Sequence, residues 1–179
     1  MTLRKIIKMP NSFLRKKASF VDKIDDEIKT LLSDMLETMY NANGIGLAAT
    51  QIGVDKRVIV MDCGQKTMID DKDSKPNPIK MINPEITCFS KTFEEREEGC
   101  LSIPGYNAIV KRPNRIVVKY INENNVQKEL KANDLLSVCI QHEIDHLDGI
   151  LFIDHLSRIK KEMIIKKINK EKLNQKEIK

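Results

Sequence analysis

The feature that most constrains this chain is one predicted helix that carries two of its three histidines. His142 and His146 stand four residues apart, and Glu143 directly follows the first. On a helix this spacing places both imidazoles on one face, about one turn apart, where a single divalent metal can bind both. The alternative is two surface histidines on an amphipathic helix. The metal is favoured because the histidines continue the apolar stripe of Leu135 and Val138.

A catalytic site of the zinc type needs three protein ligands and one open position. The candidates for the third ligand are a carboxylate or one of the remaining cysteines and histidine, namely Cys63, Cys88, Cys100, Cys139 and His155. Cys139 lies one turn before His142 on the same face, but three ligands from one helix would crowd the ion. Cys100 stands out because Gly99 lets the backbone pass close and Pro104-Gly105 ends the segment sharply.

Composition limits the class of protein. A length of 179 residues with 41% hydrophobic and 32% charged residues fits one globular domain. The apolar runs are too short for a transmembrane span. Four cysteines without a repeating spacing indicate reduced thiols in the cytoplasm and no disulfide framework.

Charge is unevenly distributed along the chain. The whole chain has a net charge of +5, whereas residues 158–179 contain nine Lys/Arg and three Asp/Glu, which is +6 for this segment alone. Such a basic arm suggests an anionic partner, and a solvated helix face is the alternative.

Periodicity predicts an α+β fold, with mixed, mostly antiparallel sheets packed around the central helix of the His-Glu-x-x-His motif, an N-terminal helix and a C-terminal helix. The predicted helices are 24–43, 134–147 and a last one from about 157, which has an apolar stripe at Ile159, Met163, Ile164 and Ile168. The predicted strands are 57–62, 80–83, 85–90, 106–111, 115–121 and 126–131. The remaining predictions are a short strand near 6–9, a strand or packing segment at 150–153, an exposed loop at 63–79 and a hairpin turn at 122–125.

Three motifs, in order, carry a resemblance to a known family. The segments 44–51 (GIGLAATQ), 98–102 (EGCLS) and 141–147 (QHEIDHL) resemble the signature motifs of peptide deformylases, of the bacterial iron-dependent type with a C-terminal helix. The resemblance covers essentially the whole chain. It implies hydrolysis of the N-formyl group from the N-terminal formyl-methionine of newly synthesised proteins, with release of formate. The alternatives are a generic zinc peptidase and a non-catalytic metal-binding or ribosome-associated module.

The resemblance also implies a role for individual residues. The metal ligands would be Cys100, His142 and His146. Glu143 would be the general acid/base, and the oxyanion would be stabilised by Gln51 and the backbone N–H of Leu101. The residues beside the substrate backbone would be Ile45, Gly46 and Gly99. The methionine pocket would be formed by Glu98, Leu135, Val138 and Cys139, although Glu98 has a structural alternative in pairing with Arg112.

The resemblance further implies one divalent metal ion, with Fe²⁺ as the native metal and Zn²⁺, Ni²⁺ or Co²⁺ as other possibilities. Residues 1–157 would form a single catalytic domain and residues 158–179 a basic helical extension that docks on the ribosome. We expect a cytoplasmic monomer that acts on formyl-methionyl nascent peptides and has no membrane partner.

Overall fold

The computed structural model describes residues 2–64 and 76–177, with side chains as far as residue 173. The described helices are α1 (Asp26–Asn41), α2 (Asp134–Leu147) and α3 (Arg158–Glu177). The described strands are β1 (Gly46–Ala48), β2 (Val58–Met61), β3 (Ile79–Phe89), β4 (Phe93–Cys100), β5 (Ile103–Pro113), β6 (Arg115–Ile121) and β7 (Gln127–Asn133). Most of the loop predicted at 63–79 lies outside the described residues.

The strands form two antiparallel sheets. Five of them pair in the order β1-β2-β3-β6-β7, and β4 pairs with β5 as a separate two-stranded ribbon. Every pairing in the described part of the chain is antiparallel, so the predicted α+β class with largely antiparallel sheets is confirmed.

The larger sheet lies between two helices because successive side chains of a strand point to opposite faces. On β2, Ile59 and Met61 pack in one apolar cluster with Ile140 and Leu147 of α2. The alternate β2 residues, Val58 and Val60, pack in a second cluster with residues of α1 such as Met35 and Met39. This arrangement buries one face of α2 and places that helix at the centre of the molecule.

The predicted helix boundaries agree well with the structure. The side chain of Asp25 accepts a hydrogen bond from the backbone N–H of Ile28 and caps α1, as its position in the sequence predicts. Helix α2 has the bounds expected from the sequence. The chain leaves it at Gly149, whose φ of +74° lies in the left-handed region.

Some strand predictions were wrong. The segments 80–83 and 85–90 form one strand, β3, interrupted by a bulge where Asn83 has a φ of +51° and Pro84 lacks a backbone N–H. Strand β4 was not predicted because its Glu-rich sequence has low strand propensity. Residues 6–9 form no strand, although Ile7 and Met9 each donate a backbone hydrogen bond to the body of the protein.

The C-terminal part also differs in detail. Of the two alternatives for 150–153, the structure shows a packing segment, because Leu151, Phe152 and Ile153 are buried and no strand forms. Phe152–His155 is a 3-10 turn. Helix α3 forms as expected, but Ile159 is 73% exposed and Met163 is 55% exposed, so these two residues are not part of a buried stripe. Instead, α3 contacts the body through Ile168, which packs with Leu14 and Phe152.

The hairpin turn between β6 and β7 is as predicted. Asn122 donates a backbone hydrogen bond to Val126, and Asn125 adopts a φ of +58°. Of the helices in the described ranges, none has the length and apolar character needed to span a membrane.

We expect Gly149→Ala to destabilise the protein more than Gly105→Ala. Both glycines have a positive φ, which costs an alanine about 1–2 kcal/mol. A Cβ at Gly149 would also overlap the carbonyl oxygen of Arg15, whereas a Cβ at Gly105 would meet nothing within 4 Å. The overlap should add about 1–3 kcal/mol to the free energy lost, as measured by urea unfolding. An equal decrease in the free energy of unfolding for the two variants would show that the backbone at Arg15 can move aside without destabilising the protein.

Candidate active site

One cysteine and two histidines meet at the centre of the molecule. Cys100 ends β4, and its Sγ lies 3.1 Å from Nε2 of His146 on α2. One ligand atom from each of Cys100, His142 and His146 can be chosen so that all three lie within 4.8 Å of one another. Ligand bonds of about 2.0–2.3 Å place the ligand atoms of one tetrahedral ion roughly 3–4 Å apart. The three side chains therefore fit one divalent metal ion.

The orientation of His142 is set by Glu98 of β4. Nδ1 of His142 lies 2.8 Å from Oε2 of Glu98, and Arg112 donates to the same carboxylate from Nε at 2.6 Å and Nη2 at 3.0 Å. Burial raises the pKa of Glu98, but the hydrogen bonds with His142 and Arg112 outweigh it and lower the pKa to about 2. The anionic Glu98 accepts from Nδ1, which leaves Nε2 of His142 to face the metal position.

His146 is a suitable ligand because its imidazole is neutral. Burial lowers its pKa well below the usual value, which favours the neutral form. Thr50 donates its hydroxyl to the backbone carbonyl of His146, which ties this turn of α2 to the loop after β1.

Glu143 lies beside the metal position and is 4% exposed. Its Oε2 is buried and has no hydrogen-bond partner among the described residues. A Cβ at Gly46 would overlap Oε1 of Glu143 and lie 2.9 Å from Sγ of Cys139, so only glycine allows β1 to pass this close. Burial raises the pKa of Glu143 to about 7.

Gln51 presents its amide nitrogen to the same place. Its Oε1 accepts a hydrogen bond from the backbone N–H of Ala48 at 2.8 Å, which fixes the direction of the amide. Its Nε2 lies 3.5 Å from Sγ of Cys100 and 3.2 Å from Oγ of Ser102. The side chain therefore has a donor group beside the cluster of candidate metal ligands.

A cavity of about 600 Å³ opens against this cluster. Twelve of the thirteen residues predicted from the sequence line it, namely Ile45, Gly46, Gln51, Glu98, Gly99, Cys100, Leu101, Leu135, Val138, Cys139, His142 and Glu143. The thirteenth, His146, lies behind the cluster and is 1% exposed.

The other candidate ligands lie elsewhere. The thiol of Cys139 lies 3.6 Å from the backbone carbonyl of Ile45, in the wall of the cavity. Cys88 is exposed on β3, and Nε2 of His155 lies 2.7 Å from Oδ2 of Asp145.

Several residues around the site were not singled out from the sequence. Ile6 and Lys8 line the cavity, but they come from a segment distant in sequence with no pattern that marks it. Arg96 also lines it and belongs to the unpredicted strand β4. Ser102 is the last residue of the 98–102 motif, but no role was predicted for it. The ring of Phe152 stacks on His142 with centroids 6.3 Å apart, a contact that only the fold creates.

Residues 3–162 match the family model described as polypeptide deformylase. The chain belongs to the peptide deformylase family. A peptide deformylase from Bartonella bacilliformis is 48% identical over 170 residues, which are 95% of this chain and 93% of that protein. One from Methylocella silvestris is 50% identical over 170 residues, covering 95% of this chain and 85% of the relative.

Solved structures agree with this assignment. The crystal structure of peptide deformylase from Ehrlichia chaffeensis superposes with a TM-score of 0.89 at 38% identity and covers 97% of this chain and 99% of that one. A structure of the same protein in complex with actinonin gives a TM-score of 0.87 at 39% identity and covers 96% of this chain and 98% of that one.

The family membership establishes the reaction. The protein is a metal-dependent hydrolase that removes the N-formyl group from the N-terminal formyl-methionine of newly synthesised proteins and releases formate. The prediction of the enzyme class from the three motifs is confirmed, and the generic zinc peptidase and the non-catalytic module are excluded.

Proposed function

We propose that Cys100, His142 and His146 hold the catalytic metal of this deformylase. The observation that carries the proposal is the meeting of these three side chains at the wall of the 600 Å³ cavity, with Cys100 and His142 both lining it. When bound, the metal supplies the positive charge that makes a water molecule nucleophilic near neutral pH and polarises the formyl oxygen. A set of three protein ligands is typical of catalytic metal sites, whereas structural sites use four.

Glu143 is the general acid/base in this proposal. Its carboxylate lies next to His142 in sequence and projects into the same cavity, where Oε2 has no partner among the described residues. It takes a proton from the attacking water and delivers it to the nitrogen of the leaving amine. A buried carboxylate without a fixed partner is free to bind both groups in turn.

Gln51 and Leu101 stabilise the negative charge that develops on the formyl oxygen. The hydrogen bond from the backbone N–H of Ala48 to Oε1 of Gln51 turns Nε2, the donor group of the amide, toward Cys100 and Ser102. Leu101 follows the ligand Cys100 in the chain, and its backbone N–H supplies the second donor. Each donor of this kind typically contributes about 2.7–4 kcal/mol to stabilisation of the transition state.

The methionine side chain of the substrate occupies the apolar part of the cavity. Helix α2 contributes Leu135, Val138 and Cys139 to this wall, and all three lie on the turns before His142. The substrate backbone runs beside Ile45, Gly46 and Gly99. Glu98 bounds the same space, although its carboxylate is bonded to Arg112 and His142.

We propose Fe²⁺ as the native metal, and Zn²⁺, Ni²⁺ and Co²⁺ as ions that the same ligands accept. The support is the ligand set, because one thiolate and two imidazoles suit all four of these ions. The resemblance of the three motifs to those of the iron-dependent deformylases favours Fe²⁺ among them.

We expect Glu143→Ala to retain the metal and lose turnover. Because the residue moves protons without binding the ion, kcat on formyl-Met-Ala should fall by at least about 100-fold. Formate release and metal content should be measured on the same sample. Normal turnover in this variant would refute the role of Glu143.

We expect Cys100→Ala to lose the metal at equilibrium, since it removes the thiolate and leaves two ligands. Cys88→Ala is the matched control, because Cys88 is an exposed cysteine on another strand. Both variants should be purified anaerobically and dialysed, and their metal content should then be measured. Iron is expected in the Cys88→Ala control. Full occupancy of Cys100→Ala would show that another residue completes the site.

We also propose that residues 1–157 form the catalytic domain and that 158–179 form a docking helix for the ribosome. The support is the exposed basic surface of α3, which includes Lys166, Lys167 and Lys170. Clustered lysines attract the phosphates of ribosomal RNA. A cytoplasmic monomer fits this role, and the four cysteines are unpaired.

Complete removal of α3 would also remove the buried Ile168, so charge reversal is the sharper test. We expect Lys166→Glu, Lys167→Glu and Lys170→Glu together to weaken co-sedimentation with ribosomes at low salt and to leave hydrolysis of formyl-Met-Ala unchanged. The matched control reverses three exposed lysines of the sheet, Lys119, Lys128 and Lys131. Equal sedimentation of the two triple variants would contradict docking through α3.

A further inference from the structure

A continuous chain of hydrogen bonds links the proposed metal ligand His142 to the surface histidine His155. Its first link is the bond between Nδ1 of His142 and Oε2 of Glu98 at 2.8 Å. Arg112 holds Glu98 through two N–H groups and donates Nη1 to Oδ2 of Asp145 at 2.8 Å. The last link joins the same Oδ2 of Asp145 to Nε2 of His155 at 2.7 Å.

Exposure increases outward from Glu98 to His155. The side chains of Glu98 and Arg112 are 4% and 5% exposed, that of Asp145 is 18% exposed, and that of His155 is 35% exposed. Hydrogen bonds between charged groups are strengthened in a buried environment, and an unpaired buried charge is costly. Arg112 is thus a buried cation held between two carboxylates, and its position depends on both.

The chain also connects the elements that carry the proposed ligands. Glu98 lies on β4 two residues before Cys100, and Asp145 lies on α2 directly before His146. By bonding to both carboxylates, Arg112 of β5 ties the ribbon that carries the cysteine to the helix that carries the histidines. A shift of Arg112 would change both the ring orientation of His142 and the separation of Cys100 from His146.

The outer end of the chain lies in a second cavity of about 520 Å³, on a different face of α2 from the active site. Arg112, Asp145 and His155 all line it. On that side, Asp145 has one bond from buried Arg112 and one from His155. Without His155, the carboxylate of Asp145 would have this second bond replaced by water and would be freer to turn away from Arg112.

We propose that His155 is a positioning residue for the metal centre, which acts through Asp145, Arg112 and Glu98 on His142. The inference rests on the proposed ligand set. The β4–β5 ribbon, α2 and the 3-10 turn at 152–155 are thereby held in one arrangement. The affinity of the site for the metal then depends on a side chain at the protein surface.

The test measures Co²⁺ binding by the metal-free full-length protein. Binding is monitored by visible absorption while a chelator competes for the ion. Loss of a partner bonded directly to a metal ligand typically weakens metal binding by about 10–100-fold. Arg112 is one bond further out, through Glu98, so we expect Arg112→Lys to weaken binding by about 10-fold, the lower end of this range. His155→Phe, which acts through two further bonds, should raise the Kd by at least about threefold, with an altered Co²⁺ spectrum. His155→Gln should restore wild-type binding, since its amide can still donate to Asp145.

Two further measurements decide whether the residues act in series. The double variant His155→Phe/Arg112→Lys should bind Co²⁺ no more weakly than Arg112→Lys alone, because non-additivity marks residues of one network. Asp154→Asn is the matched control. It lies in the same turn and pairs with Arg15 and Lys161, outside this chain, so its Kd should equal that of the wild type.

Wild-type affinity in His155→Phe, or additive effects in the double variant, would overturn the proposal. His142→Ala distinguishes its failure from failure of the ligand set. Loss of Co²⁺ by His142→Ala with no effect of His155→Phe refutes the positioning role alone. Retention of Co²⁺ by His142→Ala refutes the ligand set and, with it, the route through His142.

Discussion

Glu98 joins the ribbon to the central helix, and the geometry of the site depends on this contact. Its carboxylate bonds to Arg112 on β5 and to His142 on α2. Because Cys100 follows two residues later on the same strand, the contact that orients one proposed ligand also places another. The hydrogen bond between His142 and Glu98 thereby joins residues that are more than forty positions apart in the chain. Glu98 and Arg112 form a buried ion pair beside it. Breaking one partner of such a pair leaves an uncompensated buried charge.

The same helix serves two purposes in the molecule. One face of α2 packs on the sheet through Ile140 and Leu147, which buries it in the core. An adjacent face presents His142 and Glu143 to the cavity, where Leu135 and Val138 form an apolar wall. Because the packing of the helix on the sheet fixes its position, the proposed acid/base and the proposed substrate pocket keep a constant separation, which is what positioning in catalysis requires.

Strand β1 explains why the glycine-rich motif is needed beside this helix. Gly46 passes so close to Glu143 and Cys139 that any side chain would overlap them. The turn that follows β1 directs Oε1 of Gln51 to the backbone of Ala48 and leaves Nε2 for the site. The motif therefore does two things: its glycine lets β1 pass close to α2, and its glutamine holds an amide group in a fixed direction. Contacts with α2 and β4 determine which residues are needed at these positions.

The amino-acid sequence alone was sufficient for the α+β class, the bounds of α2, the enzyme family and twelve of the residues that line the cavity, because these depend on local periodicity and on motifs of fixed spacing. It failed at β4, where the many glutamates do not resemble a strand sequence, and at Ile159 and Met163, whose apolar side chains remain exposed. Tertiary structure alone decided the link from His142 through Arg112 to His155 and the stacking of Phe152. These contacts join segments that are distant in the chain. Local sequence patterns do not predict which distant side chains will come together when the chain packs.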